Sequence, residues 1–199
     1  ALALLTLAAC SVLSPTSTPV PAFYSLDSAP LTAPAPASPA APTLIIHPPR
    51  AAAGFDSQRI IYVRESHKLE YFAHSEWIDP PARMLGPLLV AAIEQTGAFS
   101  AVLLTPGAAG GDLRLDTEIV RLQQEFQTSP SRVRFTLRAY LVDEKTRRVL
   151  AWRQFEAAAD AASDDPYSGV LAANRAVQAV LQQLSVFCAE AVASATLAK

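Results

Sequence analysis

The stretch RVRFTLRAYLVDEKTRRVLAWRQFE (residues 132–156) alternates apolar and polar side chains on both sides of a short charged turn. A period of two is typical of a strand with one face on a core and the other in water. The turn at residues 143–148 contains no apolar side chain, so the chain is expected to reverse there. Upstream, Leu113, Leu115 and Ile119 alternate with charged residues in the same way. The three segments predict an antiparallel meander.

Shorter apolar runs indicate further strands before the meander. Residues 44–47 are followed by two prolines that end the run, and residues 60–64 and 69–73 flank a short polar loop. Two runs joined in this way predict a hairpin. Another run, at residues 99–104, ends at a glycine-rich turn and predicts one more strand.

Two amphipathic patterns predict helices. The first follows Asp79, a favourable N-cap, and Pro80 and Pro81, which suit a first helical turn. The interior Pro87 is expected to bend this helix, and Gly97 is expected to end it. The apolar positions recur at helical spacing: Leu85, Leu88, Leu89, Ala92 and Ile93.

The second helix is longer and is expected to begin after Asp164, Asp165 and Pro166. One stripe of it is apolar as far as Cys188, a lone thiol that is expected to be a small buried hydrophobe. We therefore expect an α+β fold. It would consist of an antiparallel sheet of hairpin and meander strands, packed by one helix after Asp79 and a long C-terminal one.

The chain begins with an uncharged apolar run that ends at a cysteine. Residues 1–9 resemble the remnant of a signal peptide, and Leu7-Ala8-Ala9-Cys10 resembles the bacterial lipobox. In that motif the thiol accepts diacylglycerol, and the small residues before it admit the signal peptidase. Cys10 is therefore the expected lipidation site, and Ser11, in place of Asp, favours sorting to the outer membrane. The alternative is an ordinary signal peptide in which Cys10 has no role.

Residues 10–42 are expected to form a proline-rich linker behind the lipidated cysteine, and residues 43–199 a single folded domain. The linker holds eight of the chain's 16 prolines and one charge, Asp27, so it favours an extended conformation. At ~3.1 Å per residue, such a linker would reach about 100 Å. The segment Phe23-Tyr24-Ser25-Leu26 interrupts it. This segment either contacts a partner or forms a short edge strand on the chain's own domain.

Motifs of common enzyme classes are missing from the sequence. It has no phosphate-binding loop ending in Lys-Ser/Thr, no G-x-S-x-G elbow and no H-E-x-x-H pair. His67, His74 and Glu76 could form a metal site only across a strand, so surface or packing roles are preferred for them. The net charge of −2 gives no general attraction to nucleic acid. We expect a non-enzymatic protein with no cofactor apart from diacylglycerol and N-acyl lipid on Cys10.

A basic cluster lies on the predicted meander. Such a surface would suit lipid headgroups or an acidic partner, with Arg134 and Arg138 as candidate contact residues. The preferred alternative is cross-strand pairing with Asp116, Glu118 and Glu125 on the preceding strand. The members of the cluster are Arg132, Arg134, Arg138, Lys145, Arg147, Arg148 and Arg153.

The order of these pieces is similar to the ABC-type transport auxiliary lipoprotein family, which includes the paraquat-inducible type of outer-membrane lipoprotein. The resemblance spans nearly the whole chain and rests on Cys10, on the segment at residues 23–26 and on the block at residues 59–81. It continues through Gly97-Ala98-Phe99-Ser100-Ala101-Val102 and the meander. The matching positions of the central block are Tyr62, Arg64, Tyr71, Trp77, Pro80 and Pro81.

The resemblance implies a non-catalytic periplasmic subunit of a lipid transport system, lipid-anchored at the outer membrane of a Gram-negative bacterium. The implied partners are an MCE-domain protein and an ABC permease–ATPase pair, which this subunit would anchor or receive. Homo-oligomerisation stays open, and no nucleic-acid partner is implied. Phe23, Tyr24, Tyr71 and Trp77 are the aromatic candidates for partner contact. For Tyr71 and Trp77, core packing is the preferred alternative.

Two other functions stay open at this point. A lipid carrier would hold an acyl chain between helix and sheet, and would need an apolar cavity there. A periplasmic hydrolase would need a cleft with a nucleophile beside a base, which the sequence does not indicate.

Overall fold

The computed structural model describes residues 20–27, 36–106 and 110–197. Within these ranges the chain forms one mixed sheet and two helices, which confirms the α+β class. The strands are β1 (Ala22–Tyr24), β2 (Thr43–Ile46), β3 (Arg50–Ala51), β4 (Arg59–Val63), β5 (Glu70–Trp77), β6 (Ala101–Leu104), β7 (Leu113–Glu125), β8 (Arg132–Asp143) and β9 (Val149–Asp160). The helices are α1 (Pro81–Glu94) and α2 (Pro166–Leu197).

Strand β7 is the centre of the sheet because both of its edges are hydrogen-bonded. One edge pairs antiparallel with β8 over its whole length, from Leu113 opposite Asp143 to Glu125 opposite Arg132. Strand β8 in turn pairs antiparallel with β9. The meander expected from the alternating sequence is therefore confirmed, with strands several residues longer than the apolar pattern alone indicated.

The other edge of β7 pairs with three short strands that follow one another along it. Strand β2 lies beside the start of β7, β3 beside its middle and β4 beside its end, and all three run parallel to it. Strand β6 pairs parallel with β2, while β5 pairs antiparallel with β4. The expected hairpin is thus present, but the sheet is mixed and not wholly antiparallel. The parallel pairs arise because the chain passes through α1 before it returns to β7 in the same direction.

The two faces of the sheet differ in chemistry. The inner face is covered by α1 and α2, and its side chains form one core with theirs. Small residues of α2, such as Ala172, Ala173 and Ala176, are buried against the strands and allow the helix axis to approach closely. Fully buried members of this core include Leu44, Ile46, Leu85, Leu89, Leu115, Ile119, Phe135, Leu137 and Leu184.

The helix starts differ in how they are capped. At α1 the N-cap is Pro80, without a side-chain hydrogen bond, and Asp79 instead accepts a hydrogen bond from Arg83 at 3.0 Å. The expected capping by Asp79 is therefore wrong. At α2, Asp165 accepts the N–H of Ser168 at 2.9 Å and the hydroxyl of Ser163. These bonds, that of Ser163 first, hold the pKa of Asp165 below its ordinary value.

Helix α1 runs without interruption from Pro81 to Glu94, although Pro87 lies inside it. Gly97 lies just beyond it with a φ of +65°, a conformation that glycine adopts at little cost. The expected stop at Gly97 is confirmed by this geometry.

The outer face of the meander carries a network of ion pairs across β7, β8 and β9. Arg134 bonds to Glu125 at 3.0 Å on one neighbouring strand and to Glu156 on the other, and Arg138 bonds to Glu118 at 3.3 Å. Burial opposes the ionisation of Glu125, but hydrogen bonds from Arg134 and Gln123 outweigh it, so the pKa of this carboxyl lies below its usual range. Arg134 and Arg138 are therefore engaged in cross-strand ion pairs, which was the preferred alternative for the basic cluster.

We predict that Gly169→Ala destabilises the protein although alanine favours helices. Gly169 is buried in the first turn of α2, and a Cβ added there would lie 2.1 Å from Oε1 of Gln124, a fully buried side chain on β7. We expect the free energy of unfolding to fall by about 1–3 kcal/mol in chemical denaturation.

The matched control is Gly86→Ala in α1. Its added Cβ would meet a side-chain methyl of Leu104 at 3.1 Å, which can shift, so the change in unfolding free energy should stay within about 0.5 kcal/mol. The cost of Gly169→Ala should also shrink in a Gln124→Ala background. Equal costs in both backgrounds would contradict the close-approach explanation.

We predict that Arg134→Gln lowers the free energy of unfolding by about 1–3 kcal/mol at pH 7, because the half-buried Glu125 loses its charged partner. The lowered pKa of Glu125 stabilises the fold above the ordinary carboxyl pKa of about 4.3 and ceases to do so as the pH falls through the folded value. The variant should therefore lose less stability than the wild type below pH 4.3. Arg132→Gln, in an exposed pair with Asp160, should cost less than about 0.5 kcal/mol. Equal losses for the two variants in urea titrations at several pH values would refute this account.

Candidate partner-docking surfaces

The expected lipidation site, Cys10, lies outside the described residues. The structure nevertheless limits the free length of chain behind it, because β1 begins at Ala22 and belongs to the sheet. The linker expected over residues 10–42 therefore contains a strand of the folded body. Between Cys10 and β1 stand eleven residues, 11–21, which at ~3.1 Å each reach about 34 Å. This is a third of the reach expected from the composition alone.

Phe23 and Tyr24 lie on β1, which pairs parallel with the end of β5. The Phe23 side chain is half exposed, while the Tyr24 ring is partly buried with its centroid 6.2 Å from that of Tyr167 on α2. Of the two alternatives for this segment, the edge strand on the chain's own domain is the one observed.

The segment after β1 is held against both helices. Leu26 is buried in the core, and its N–H points at Sδ of Met84 on α1 at 3.5 Å. The N–H of Asp27 donates to Oδ1 of Asn174 on α2 at 2.7 Å, and the amide of Asn174 donates back to the carbonyl of Ser25 at 3.2 Å. These contacts fix the point at which the N-terminal chain leaves the folded body.

Tyr71 and Trp77 both lie on β5 but have different surroundings. Tyr71 is half exposed, and the guanidinium of Arg59 lies over its ring, 4.2 Å from the centroid. Trp77 is 2% exposed and packs in the core, so it is a core residue and a partner cannot reach it in this fold. Core packing, the preferred alternative for Trp77, is therefore what is observed, with Val170 and Ala173 of α2 lining the same small cavity as its ring.

The side chains of Arg134 and Arg138 are already engaged within the sheet. Their guanidinium groups already bond to the carboxylates of Glu125, Glu156 and Glu118. A partner would have to compete with these ion pairs for the two guanidinium groups. Both arginines are therefore weaker candidates for partner contact than unpaired arginines would be.

An exposed apolar cluster that the sequence pattern did not single out lies at the start of β9. Val149, Leu150 and Trp152 are 55%, 42% and 62% exposed, and the Trp152 ring stacks on Tyr140 with 6.2 Å between centroids. A bulge at this end of the β8–β9 pair, where Ala151 opposes Leu141 but Val149 opposes Val142, leaves Leu150 without a partner. The only sequence signal was the run Val149-Leu150-Ala151-Trp152, which breaks the alternation.

The space between the start of α2 and strands β4, β5, β7 and β8 is almost completely filled. The cavity there measures about 10 Å³, lined by Ile60, Trp77, Gln124 and Val170 among others. This is about the volume of one water molecule. An acyl chain therefore finds no room between this part of α2 and the sheet.

The titratable groups of the described residues form no metal-binding group of three or more His, Cys, Asp or Glu side chains, and His67, His74 and Glu76 do not come together as one. Cys188 is completely buried, and burial raises the pKa of its thiol to about 12. A thiol protonated at neutral pH fits the expected packing role.

Helix α2 has the length and composition to cross a membrane over Pro166–Ser194, and it alone does so among the residues described. Half of its most apolar window is buried in the fold, and core helices of this kind pass the same test. Its apolar stripe is therefore explained by the sheet that it covers.

Two solved structures share this architecture. The chain is 23% identical to protein XCC0632 from Xanthomonas campestris, with a TM-score of 0.75 over 88% of this chain and 98% of that one. An uncharacterized protein is 14% identical, with a TM-score of 0.63 over 86% of this chain and 97% of that one. At these identities the likeness establishes the fold alone. No curated protein sequence matches the chain.

One family model matches residues 24–185, from the end of β1 to the last third of α2. The match includes β1, which agrees with its place in the sheet. It covers well over half of the chain and confirms the resemblance drawn from the lipobox and the central block of sequence. The chain belongs to the ABC-type transport auxiliary lipoprotein component family.

Proposed function

We propose that this protein is a non-catalytic periplasmic lipoprotein subunit of an ABC/MCE-type lipid transport system, anchored through Cys10 to the outer membrane. The observation that carries the proposal is the family match over residues 24–185, which takes in nearly all of the folded body. In this role the domain docks the periplasmic end of the transporter near the membrane.

The position of β1 supports a role close to a membrane surface. A lipid on Cys10 would hold Ala22 within about 34 Å of the bilayer, since eleven residues separate the two. The Asn174 and Met84 contacts of the following segment keep this entry point fixed on the domain. The anchor would therefore control the distance of the sheet from the membrane.

The chemistry of the described side chains supports a docking role in preference to catalysis. The charged groups on the outer face are largely engaged in ion pairs, the buried thiol is protonated at neutral pH, and the space between the start of α2 and the sheet is filled. A surface of this kind can bind another protein without moving protons or electrons.

We predict that Cys10→Ser abolishes lipid attachment. Cells expressing the wild type should incorporate labelled palmitate into the protein and retain it in the outer-membrane fraction, because the Cys10 thiol is the acceptor for the diacylglyceryl group. The Cys10→Ser variant should carry no label and lose outer-membrane retention. Cys188→Ala is the control and should be labelled as the wild type is, since that thiol is buried. Label on the Cys10→Ser variant would disprove lipidation at this position.

We also predict that the lipidated chain recovers components of one transport system. Chemical crosslinking in intact cells, followed by affinity purification from solubilised membranes, should yield an MCE-domain protein or an ABC permease–ATPase subunit. The Cys10→Ser form should yield at least about tenfold less, because it is no longer concentrated at the membrane. Recovery of no such component with the lipidated chain would overturn the proposed function.

A further inference from the structure

A groove runs between the start of β9 and the C-terminal part of α2. Its volume is about 460 Å³, and Leu150, Ala151 and Arg153 lie on the strand side while Phe187 and Ala191 lie on the helix side. We call this the Arg153 groove. Its surface is mostly apolar, and its wall contains one cation, Arg153, and one carboxylate, Glu190, which form no ion pair with each other.

The guanidinium of Arg153 is held in place without an acidic partner. Its central carbon lies 5.0 Å from the centroid of the Phe187 ring and 5.9 Å from that of Phe155, two rings that pack edge to face. Among the described residues, no carboxylate pairs with Arg153. By contrast, Arg132, Arg134 and Arg138 on the neighbouring strand each bond to one.

A guanidinium fixed over aromatic rings presents a ready set of hydrogen-bond donors. Arginine carries five N–H donors in a planar fork that fits a carboxylate, and stacking on the rings reduces the entropy lost when it binds one. Arg153 is exposed, so these donors are open to solvent and to a ligand. Arg153 can therefore bind an anion next to an apolar surface.

Residues at the start of β9 and in the turn before it add apolar surface and positive charge near the groove. Leu150 lines the groove itself, whereas Val149 and Trp152 lie at the same end of β9 on the opposite face of the sheet. Lys145 and Arg148, in the turn before β9, form no ion pair with a residue that the structure describes, so they add positive charge at this end of the strand. In the described sheet β9 pairs with β8 only, so the backbone groups along its other edge are free for a polypeptide to bind.

The place of the groove in the sheet leaves it open when the protein is anchored. Along the path β1–β5–β4–β7–β8–β9, the strand next to the lipid tether and the strand that carries the groove form opposite edges. Five strand spacings of about 4.8 Å separate these edges. The tether therefore reaches the domain from the side away from the groove.

We propose that the Arg153 groove docks an acidic segment of a partner protein, with an apolar side chain in the groove and a carboxylate on Arg153. The proposal rests on the proposed function, because the partner is taken to be a protein of the same transport system. The three unpaired cations Arg153, Lys145 and Arg148 outnumber the one carboxylate of the groove, Glu190, so charge complementarity selects an acidic ligand. The free backbone edge of β9 selects a polypeptide over a free fatty acid, which could not use it.

The test measures binding of the full-length lipidated chain, in detergent, to the purified periplasmic part of the MCE-domain protein encoded with it. Arg153→Gln should raise the dissociation constant at least about tenfold. Arg153→Lys, which keeps the charge, should raise it less. The control is Arg83→Gln on α1, whose side chain is 76% exposed, and it should bind as the wild type does.

Thermal unfolding of each variant separates lost binding from lost folding. Arg153→Met retains the apolar stem over Phe187 and should melt close to the wild type, yet it should bind as weakly as Arg153→Gln. Binding that is equally strong in wild type, Arg153→Gln and Arg153→Met would overturn the groove proposal and leave the proposed function intact.

The remaining outcomes also decide the matter. If the wild type binds neither the MCE-domain protein nor the periplasmic parts of the ABC permease, both the groove proposal and the proposed function fail. If native mass spectrometry shows palmitate bound to the wild type and absent from Arg153→Gln, with no effect of that variant on the protein partner, the groove is a fatty-acid site and the proposal is overturned. If sedimentation shows a dimer that Arg153→Gln dissociates, the occupant is a second copy and the proposal is equally overturned.

Discussion

The two-sided hydrogen bonding of β7 is the constraint on which the rest of the structure depends. Strand β8 occupies one edge in full, while β2, β3 and β4 share the other in sequence order, so every other strand is attached to β7 directly or through one or two neighbours. A strand buried in this way must satisfy its backbone along both edges and must also pack its inner face. Helix α2 achieves that packing through glycine and alanine, and the contact of Gly169 with Gln124 marks where the helix comes closest.

The same arrangement decides which charges remain available. Three antiparallel strands with alternating residues place Arg134 between carboxylates of β7 and β9, and Arg138 between Glu118 of β7 and the amide of Gln154 on β9, so both arginines are engaged within the sheet. Arg153 lies on β9 with its side chain toward the helix layer, where aromatic rings stand in place of carboxylates. Residues of one type in one hairpin thus have opposite roles because they lie on opposite faces of the sheet.

Local patterns in the sequence were sufficient for the meander, both helices and the hairpin, since their periods of two and 3.6 reflect burial on one face. The parallel placement of β2, β3 and β4 could not be derived, because strands of two to five residues carry no information on direction or distant partners. An edge strand at residues 23–26 was one of two alternatives that the sequence left open, but its partner β5 could not be derived. Its attachment also depends on Asn174, which is 147 residues from Asp27 in the chain. The exposed apolar cluster at Val149, Leu150 and Trp152 was missed for a further reason. The bulge that exposes Leu150 is a property of the β8–β9 pair and not of either strand alone.

Because β1 is part of the sheet, only the eleven residues 11–21 separate Cys10 from the first strand of the folded body. The proline-rich composition alone would allow the domain to range about 100 Å from its anchor, whereas the docked strand restricts the free segment to about 34 Å. The remaining distance between anchor and partner is then the width of the sheet, which hydrogen bonding fixes at about 4.8 Å per strand. A domain on a flexible tether has a low effective concentration at its partner, and this concentration falls as the tether lengthens. A rigid spacer avoids much of this decrease. With the proposed lipid on Cys10 near one edge of the sheet and the proposed docking groove at the other, the sheet itself would set the distance between membrane anchor and partner.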